Sequence, residues 1–147
     1  MRVFVIVLSI LCLAAPISAA KTINFGDDSS EYANDGECDD RRFIGFGMAA
    51  TLAADDNFKD ATDCEFLYSN GMIKLVNQAA GKEATQCDAI EFGNDASDWA
   101  KDGECDDPRF DGPKSAATIA ISALLKDAKD CRAACAAGGI WLRVAGQ

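Results

Sequence analysis

Residues 25–76 and 92–143 align with each other without a gap, at an offset of 67, and 26 of the 52 facing positions are identical. "FGDDSSEYANDGECDDRRF" stands over "FGNDASDWAKDGECDDPRF", and "KDATDC" (Lys59–Cys64) stands over "KDAKDC" (Lys126–Cys131). An unbroken register of this length predicts one structural unit used twice. That limits the fold more than any other feature does. A unit of about 55 residues buries little core and stays marginal without a staple.

The cysteines supply the staple. Met1–Ala20 reads as a secretory signal: Arg2, then an apolar run, then small residues at Ser18 and Ala20. Cys12 lies inside it. The chain expected after cleavage, from Lys21 on, keeps six cysteines, and an even count in an exported chain predicts a disulfide framework. Six cysteines allow about 15 pairings, and the duplication chooses among them. Cys38 faces Cys105 and Cys64 faces Cys131, whereas Cys87 and Cys135 face Ala20 and Tyr68. The expected bridges are therefore Cys38–Cys64, Cys105–Cys131 and, from the remainder, Cys87–Cys135. Each repeated bridge closes a loop of roughly 27 residues, worth about 3–4 kcal/mol in the chain-entropy model.

The expected organisation is a signal over 1–20, unit 1 over 21–76, a small polar linker over 77–87 and unit 2 over 88–147. The fold class is α+β. Each unit is expected to carry short strands, two short helices and an acidic loop held by its disulfide. In unit 1, "TINFG" and "MIKLV" read as β-prone ends that pair with each other. "GMAATLAA" suits a helix, and "DATDCEFLYSNG" suits a second one with an acidic start and an Asn-Gly stop. Gly26–Phe43 has no helical period and reads as an ordered loop. Tyr32 and Trp99, at matching positions, are expected to pack inside the core or the loops.

Without the leader, 13 basic and 24 acidic residues leave a formal charge of −11. That argues against nucleic acid and anionic membrane as partners, since both need a basic surface. No apolar run follows that would hold the exported chain in a membrane. The chain has no histidine, which removes Ser-His-Asp and Cys-His hydrolases and His-ligated zinc. There is no CxxC pair and no Walker or Rossmann phosphate loop. Acids suited to paired-carboxylate hydrolysis are plentiful, but they crowd into short loops beside disulfides. A non-enzyme is expected.

The acids themselves form a pattern. Closing Cys38–Cys64 gathers Asp35, Asp39, Asp40, Asp60 and Asp63. Closing Cys105–Cys131 gathers Asp102, Asp106, Asp107, Asp127 and Asp130. Like charges packed together repel, so the side chains either splay into water or surround a cation. Ca²⁺ takes six to eight oxygens from carboxylates, carbonyls and water. An EF-hand is excluded: registered on Gly36 or Gly103, its final glutamate falls on Arg42 or Arg109. Metal-free readings stand beside the cation. Asp60 and Asp63 suit a helix N-terminus, Asp35-Gly36 suits a turn, and Asp39, Asp40, Asp106 and Asp107 suit salt bridges to Arg42 and Arg109.

"DGEC" with "DATDC", and "DGEC" with "DAKDC", resemble the calcium-binding repeats of Notch receptors. Those repeats carry an Asn or Asp three residues before one cysteine and an Asp-x-x-Asp-Cys segment at its partner. The resemblance implies ligand roles for Asp35, Asp60, Asp63, Asp102, Asp127 and Asp130. It covers about ten residues per unit, and the other two disulfides of such repeats are missing here. The whole unit is also similar to an acidic repeat of exported bacterial proteins, which implies a secreted or periplasmic location. The expected function is a non-catalytic binding module, stabilised by Ca²⁺, for an exported or envelope protein. The competing expectation is an inhibitor or regulator of a secreted hydrolase, with metal-free Asp–Arg loops. Its presented element would be Arg41–Met48 or Pro108–Ser115, where the units diverge near the motif.

Overall fold

The computed structural model describes residues 22–147, so the expected signal lies outside the described residues. Among the described residues the architecture is mixed α/β, with three α-helices and three small antiparallel strand pairs. The elements run β1 (Phe43–Gly45), β2 (Thr51–Ala53), α1 (Ala61–Ser69), β3 (Ile73–Leu75), α2 (Gln78–Ala84), β4 (Phe110–Asp111), β5 (Thr118–Ala120), α3 (Ala128–Ala136) and β6 (Trp141–Leu142). Among the described residues, no helix is long and apolar enough to cross a membrane.

Three disulfides join Cys38 to Cys64, Cys105 to Cys131 and Cys87 to Cys135, the same pairs that the self-alignment selects. The first two sit at the centres of two separate cores. One gathers Phe43, Leu67 and Ile73 around Cys38 and Cys64; the other gathers Phe92, Phe110, Ala134 and Ile140 around Cys105 and Cys131. Stacked rings lie beside each bridge: Phe25 on Phe43, and Phe92 on Phe110, both with centroids 5.6 Å apart. With cores this small, the covalent link and the ring pair carry much of the local stability.

Several expectations are corrected. "MIKLV" does supply strand β3, but its partner is β1, with Phe43 opposite Leu75 and Gly45 opposite Ile73. "TINFG" forms no strand. Gly26 makes a single bridge to Lys59, its φ of +93° ends any extension, and Phe25 contributes its ring to the core instead. Only glycine fits there, because a Cβ would meet the Phe58 carbonyl at 1.9 Å. The helix expected in "GMAATLAA" is strand β2, followed by a 3₁₀ turn at Ala54–Asp56. Alanine has the highest helix propensity, but propensity is a weak prior that tertiary context overrides, and here pairing with β5 does so.

Two helices per unit are therefore not found. Each stretch after Asp60 and Asp127 forms one, α1 or α3, and the third helix, α2, falls in 77–87. Asn77 caps α2 by accepting a hydrogen bond from Ala80 N–H at 3.0 Å. Helix α1 closes at Asn70-Gly71, with Gly71 at φ +70°.

Pairing of β2 with β5 joins the two cores. Leu52 faces Ile119, and the ladder extends through Ala54 N–H to Ala117 O and Ile121 N–H to Ala50 O, both at 2.8 Å. These pairs are related by the offset of 67, so the junction is locally two-fold about Leu52 and Ile119. Two arginines lock it. Arg41 reaches Ala116 O, Ala117 O, Asp111 and Ser115. Arg143 donates to Arg41 O and Phe43 O.

Candidate cation site

The two aspartates that follow each repeated cysteine have opposite fates. Asp40 is fully buried and saturated. Arg42 Nε lies 3.0 and 2.8 Å from its two oxygens, Arg42 Nη2 also bonds Oδ2, and Phe58 N–H donates to Oδ2 at 2.9 Å. Asp107 repeats this with Arg109 and with Leu125 N–H at 3.0 Å. Charge-assisted pairs of this kind offset burial of the carboxylate.

Asp39 is also buried, 5% exposed, yet among the described residues no arginine pairs with it. Its backbone N–H donates to Asp60 Oδ2 at 2.8 Å, and its own Oδ2 has no hydrogen-bond partner. Asp60 is 0% exposed and stands at the start of α1, but it makes no side-chain cap, and its Oδ1 is also unpartnered. The same arrangement occurs at Asp106 and Asp127: a 2.8 Å bond from Asp106 N–H to Asp127 Oδ2, with Asp106 Oδ2 and Asp127 Oδ1 unpartnered. Among the described residues, seven buried side-chain polar atoms lack a partner, and four of them are these carboxylate oxygens. Buried polar atoms are nearly always paired, so these four oxygens stand apart from the rest of the interior.

The electrostatics agree. Burial, then the charges of Asp35 and Asp60, push Asp39 up to about 7. Burial raises Asp60 to about 6, against the bond from Asp39 N–H, with Asp63 and Asp35 adding to the rise. Asp106 rises to about 6, and Asp127 is raised for the same reasons. Both flanking aspartates sit at the rim, each partly committed. Asp63 Oδ2 accepts from Gly36 N–H at 3.0 Å, Asp35 Oδ1 accepts from Glu37 N–H at 2.9 Å, and Asp130 and Asp102 do the same in the second site.

Cys64 Sγ lies 3.6 Å from Asp60 Oδ2, and Cys131 Sγ lies equally far from Asp127 Oδ2. These sulfurs are bonded to Cys38 and Cys105. They have no proton to donate and no thiolate to coordinate, so any ligand set must be made of oxygen. Among the described residues, each set of three candidate ligand atoms within 4.8 Å of one another holds a single carboxylate, Asp60 or Asp127, beside two disulfide-bonded sulfurs, and no set of three carboxylates is that close.

Sequence reasoning weighed Asp39 and Asp40 alike. One signal separates them. The arginine two residues after Asp40 is repeated after Asp107, whereas the arginine two residues after Asp39 becomes Pro108 in the second copy. It also misplaced Tyr32 and Trp99, which are 49% and 66% exposed. The divergent stretches Arg41–Met48 and Pro108–Ser115 touch each other through Arg41 and Asp111, 3.4 Å apart. Comparison of the chain with family models, characterised proteins and solved structures returns no match.

Proposed function

We propose that this chain is an exported, non-catalytic binding module built from a duplicated unit, with a Ca²⁺ ion holding each acidic site together. The ligand set narrows to Asp35, Asp39, Asp60 and Asp63 in the first unit, and Asp102, Asp106, Asp127 and Asp130 in the second. Asp40 and Asp107 are left out, because arginine and backbone N–H groups already take their oxygens. The carrying observation is the recurrence of orphaned, buried carboxylate oxygens at equivalent places. A bare cation is smaller than water and can reach oxygens that water cannot. Carboxylates, backbone carbonyls and water complete the shell that Ca²⁺ prefers. The duplication is supported by hydrogen bonds that recur at an offset of 67, and export by three disulfides, which persist in oxidising compartments. The partner we propose is another exported or envelope protein, and the location is secreted or periplasmic.

The test is a thermal melt of the oxidised protein at pH 7 in EDTA, then in millimolar Ca²⁺ or Mg²⁺. At about 100 times its dissociation constant an ion adds roughly 2.7 kcal/mol, a shift of several degrees. The expected result is a Ca²⁺-selective rise that Asp60→Asn with Asp127→Asn abolishes. No rise with either ion refutes the cation sites.

One observation favours the second reading, a regulator of a secreted hydrolase. Phe46, in the divergent stretch Arg41–Met48, is 78% exposed. Inhibition of any member of a panel of secreted proteases, lost in Phe46→Ala, would support it.

A further inference from the structure

We infer that an apolar cleft at the joint between the two halves binds an alkyl chain that ends in a carboxylate, as in a fatty-acid anion. Such a ligand is additional to a protein partner and independent of the proposed cations. The joint carries two clefts, of about 620 and 570 Å³, within the usual range for small-molecule sites. The local two-fold exchanges them. Apart from Gln78 and Pro113, every residue lining the smaller cleft stands 67 positions from a residue lining the larger. Their chemistry differs: Asp111, Ser115 and Asn57 in the smaller stand where the larger has Ile44, Met48 and Leu124.

The smaller cleft takes a side chain of the protein itself. Arg41 reaches across it to Ala116 O, Ala117 O, Asp111 and Ser115, all of which line it. In the larger cleft Pro108 stands at that place, and its short ring cannot follow the same path. The smaller cleft thus shows that this shape accepts a long, thin stem. In the larger, Ile44 and Met48 replace the partners of the guanidinium, so the fitting stem is apolar along its length. The charged residues there run against the rest of the chain. Arg109 and Arg143 line the cleft with the exposed Glu37, although acids outnumber bases in the sequence. Asp107 pairs with Arg109, but among the described residues Arg143 pairs with no carboxylate. Burial, then the like charge of Arg41, pull Arg143 down to about 10. A carboxylate in the cleft supplies the missing counter-charge.

The probe is octanoate, titrated into oxidised protein carrying ¹³C at its methionine methyls. Met48 lines the cleft and Met72 does not, so one signal reports and the other is the control. The expected result is a saturable shift of the Met48 signal. Hexanoate, two methylenes shorter, is expected to bind about tenfold more weakly. Arg109 and Arg143 are tied into the fold, so the charge is tested on the ligand: octanol and octylamine are each expected to bind roughly tenfold more weakly than octanoate. Ile121→Ala with Leu124→Asn gives the cleft the residues of its mate, Ala54 and Asn57. That variant is expected to lose the Met48 shift while its melting temperature stays near the parent's. No shift of the Met48 signal, octanol binding as tightly as octanoate, or binding retained in the double variant would overturn the assignment. So would tighter binding of acetyl-Gly-Leu-Gly-amide, which gives the cleft to a polypeptide. A Met48 shift on raising the protein concentration alone would give it to a second copy and overturn the assignment too.

Discussion

Asp39 and Asp106 lie 67 residues apart and share a setting: a buried carboxylate, an orphaned oxygen, and a backbone N–H given to the aspartate that opens the next helix. At the junction the two halves part company. Arg41 faces Pro108 in the self-alignment, and Arg143 faces Val76. Those two arginines carry most of the side-chain bonds across the joint. Residues kept in both copies build the interior of each half. Kept residues also pair across the joint in the β2–β5 ladder, while the side-chain bonds that cross it come from two arginines that differ. Two like surfaces meet on a local two-fold, and side chains that differ between them add contacts the symmetry cannot supply.

The comparison breaks first at the bridges, where the expected effects are largest. Replacing Cys38 and Cys64 by alanine, or Cys105 and Cys131, is expected to cost about 3–4 kcal/mol in either case, since both pairs are 26 residues apart. Guanidinium unfolding measures it, and a clear inequality would mean that the halves are not energetically alike. Next comes the joint. Arg41→Ala strips hydrogen bonds from two carbonyls and the ion pair from Asp111, and is expected to cost about 2 kcal/mol. Pro108→Ala, at the equivalent place, is expected to cost under ~1 kcal/mol. Equal costs would remove the assignment of the joint to non-repeated residues.

The two helices that follow Asp60 and Asp127, the disulfide pairing and the loop character of Gly26–Phe43 were legible in the sequence. Asn-Gly and Gly-Gly stops and the self-alignment are local or register signals, and these survive folding, although neither Asp60 nor Asp127 caps its helix with its side chain. Strand β2 was not legible. Thr51-Leu52-Ala53 reads as helical by composition, and only contact with a strand 67 residues away makes it extended. The site was half legible. Spacing pointed to ten aspartates near the two bridges, but which of two adjacent acids an arginine takes depends on turn geometry, with Arg42 N–H and Nε both closing on Asp40 Oδ1. Exposure of Trp99 had no sequence signal at all.

A smaller effect follows from the raised carboxyls. In the folded, metal-free protein Asp39 titrates near 7 and Asp60 near 6, above the ordinary 3.8. Between about pH 4 and pH 7 the folded state therefore holds protons that the unfolded chain has released, so stability falls as pH rises through that window. The charges facing Asp39 are Asp35, Asp60, Asp56 and Glu37, all of one sign. In EDTA the melting temperature is expected to drop from pH 4.5 to pH 7.5. In Ca²⁺ the drop is expected to vanish or reverse, because the ion needs the deprotonated forms. A metal-free protein with a flat profile would contradict the electrostatic account of both sites.

The most direct measurement is the melting temperature of the Asp39→Asn, Asp106→Asn double variant at pH 7.5, in EDTA and in Ca²⁺. An amide removes one repelling charge from each site. The account predicts a change of sign: the variant melts above the parent in EDTA and below it in Ca²⁺. A variant that melts below the parent by the same margin in both conditions would show that these carboxylates serve the metal-free fold, and the cation sites would fall.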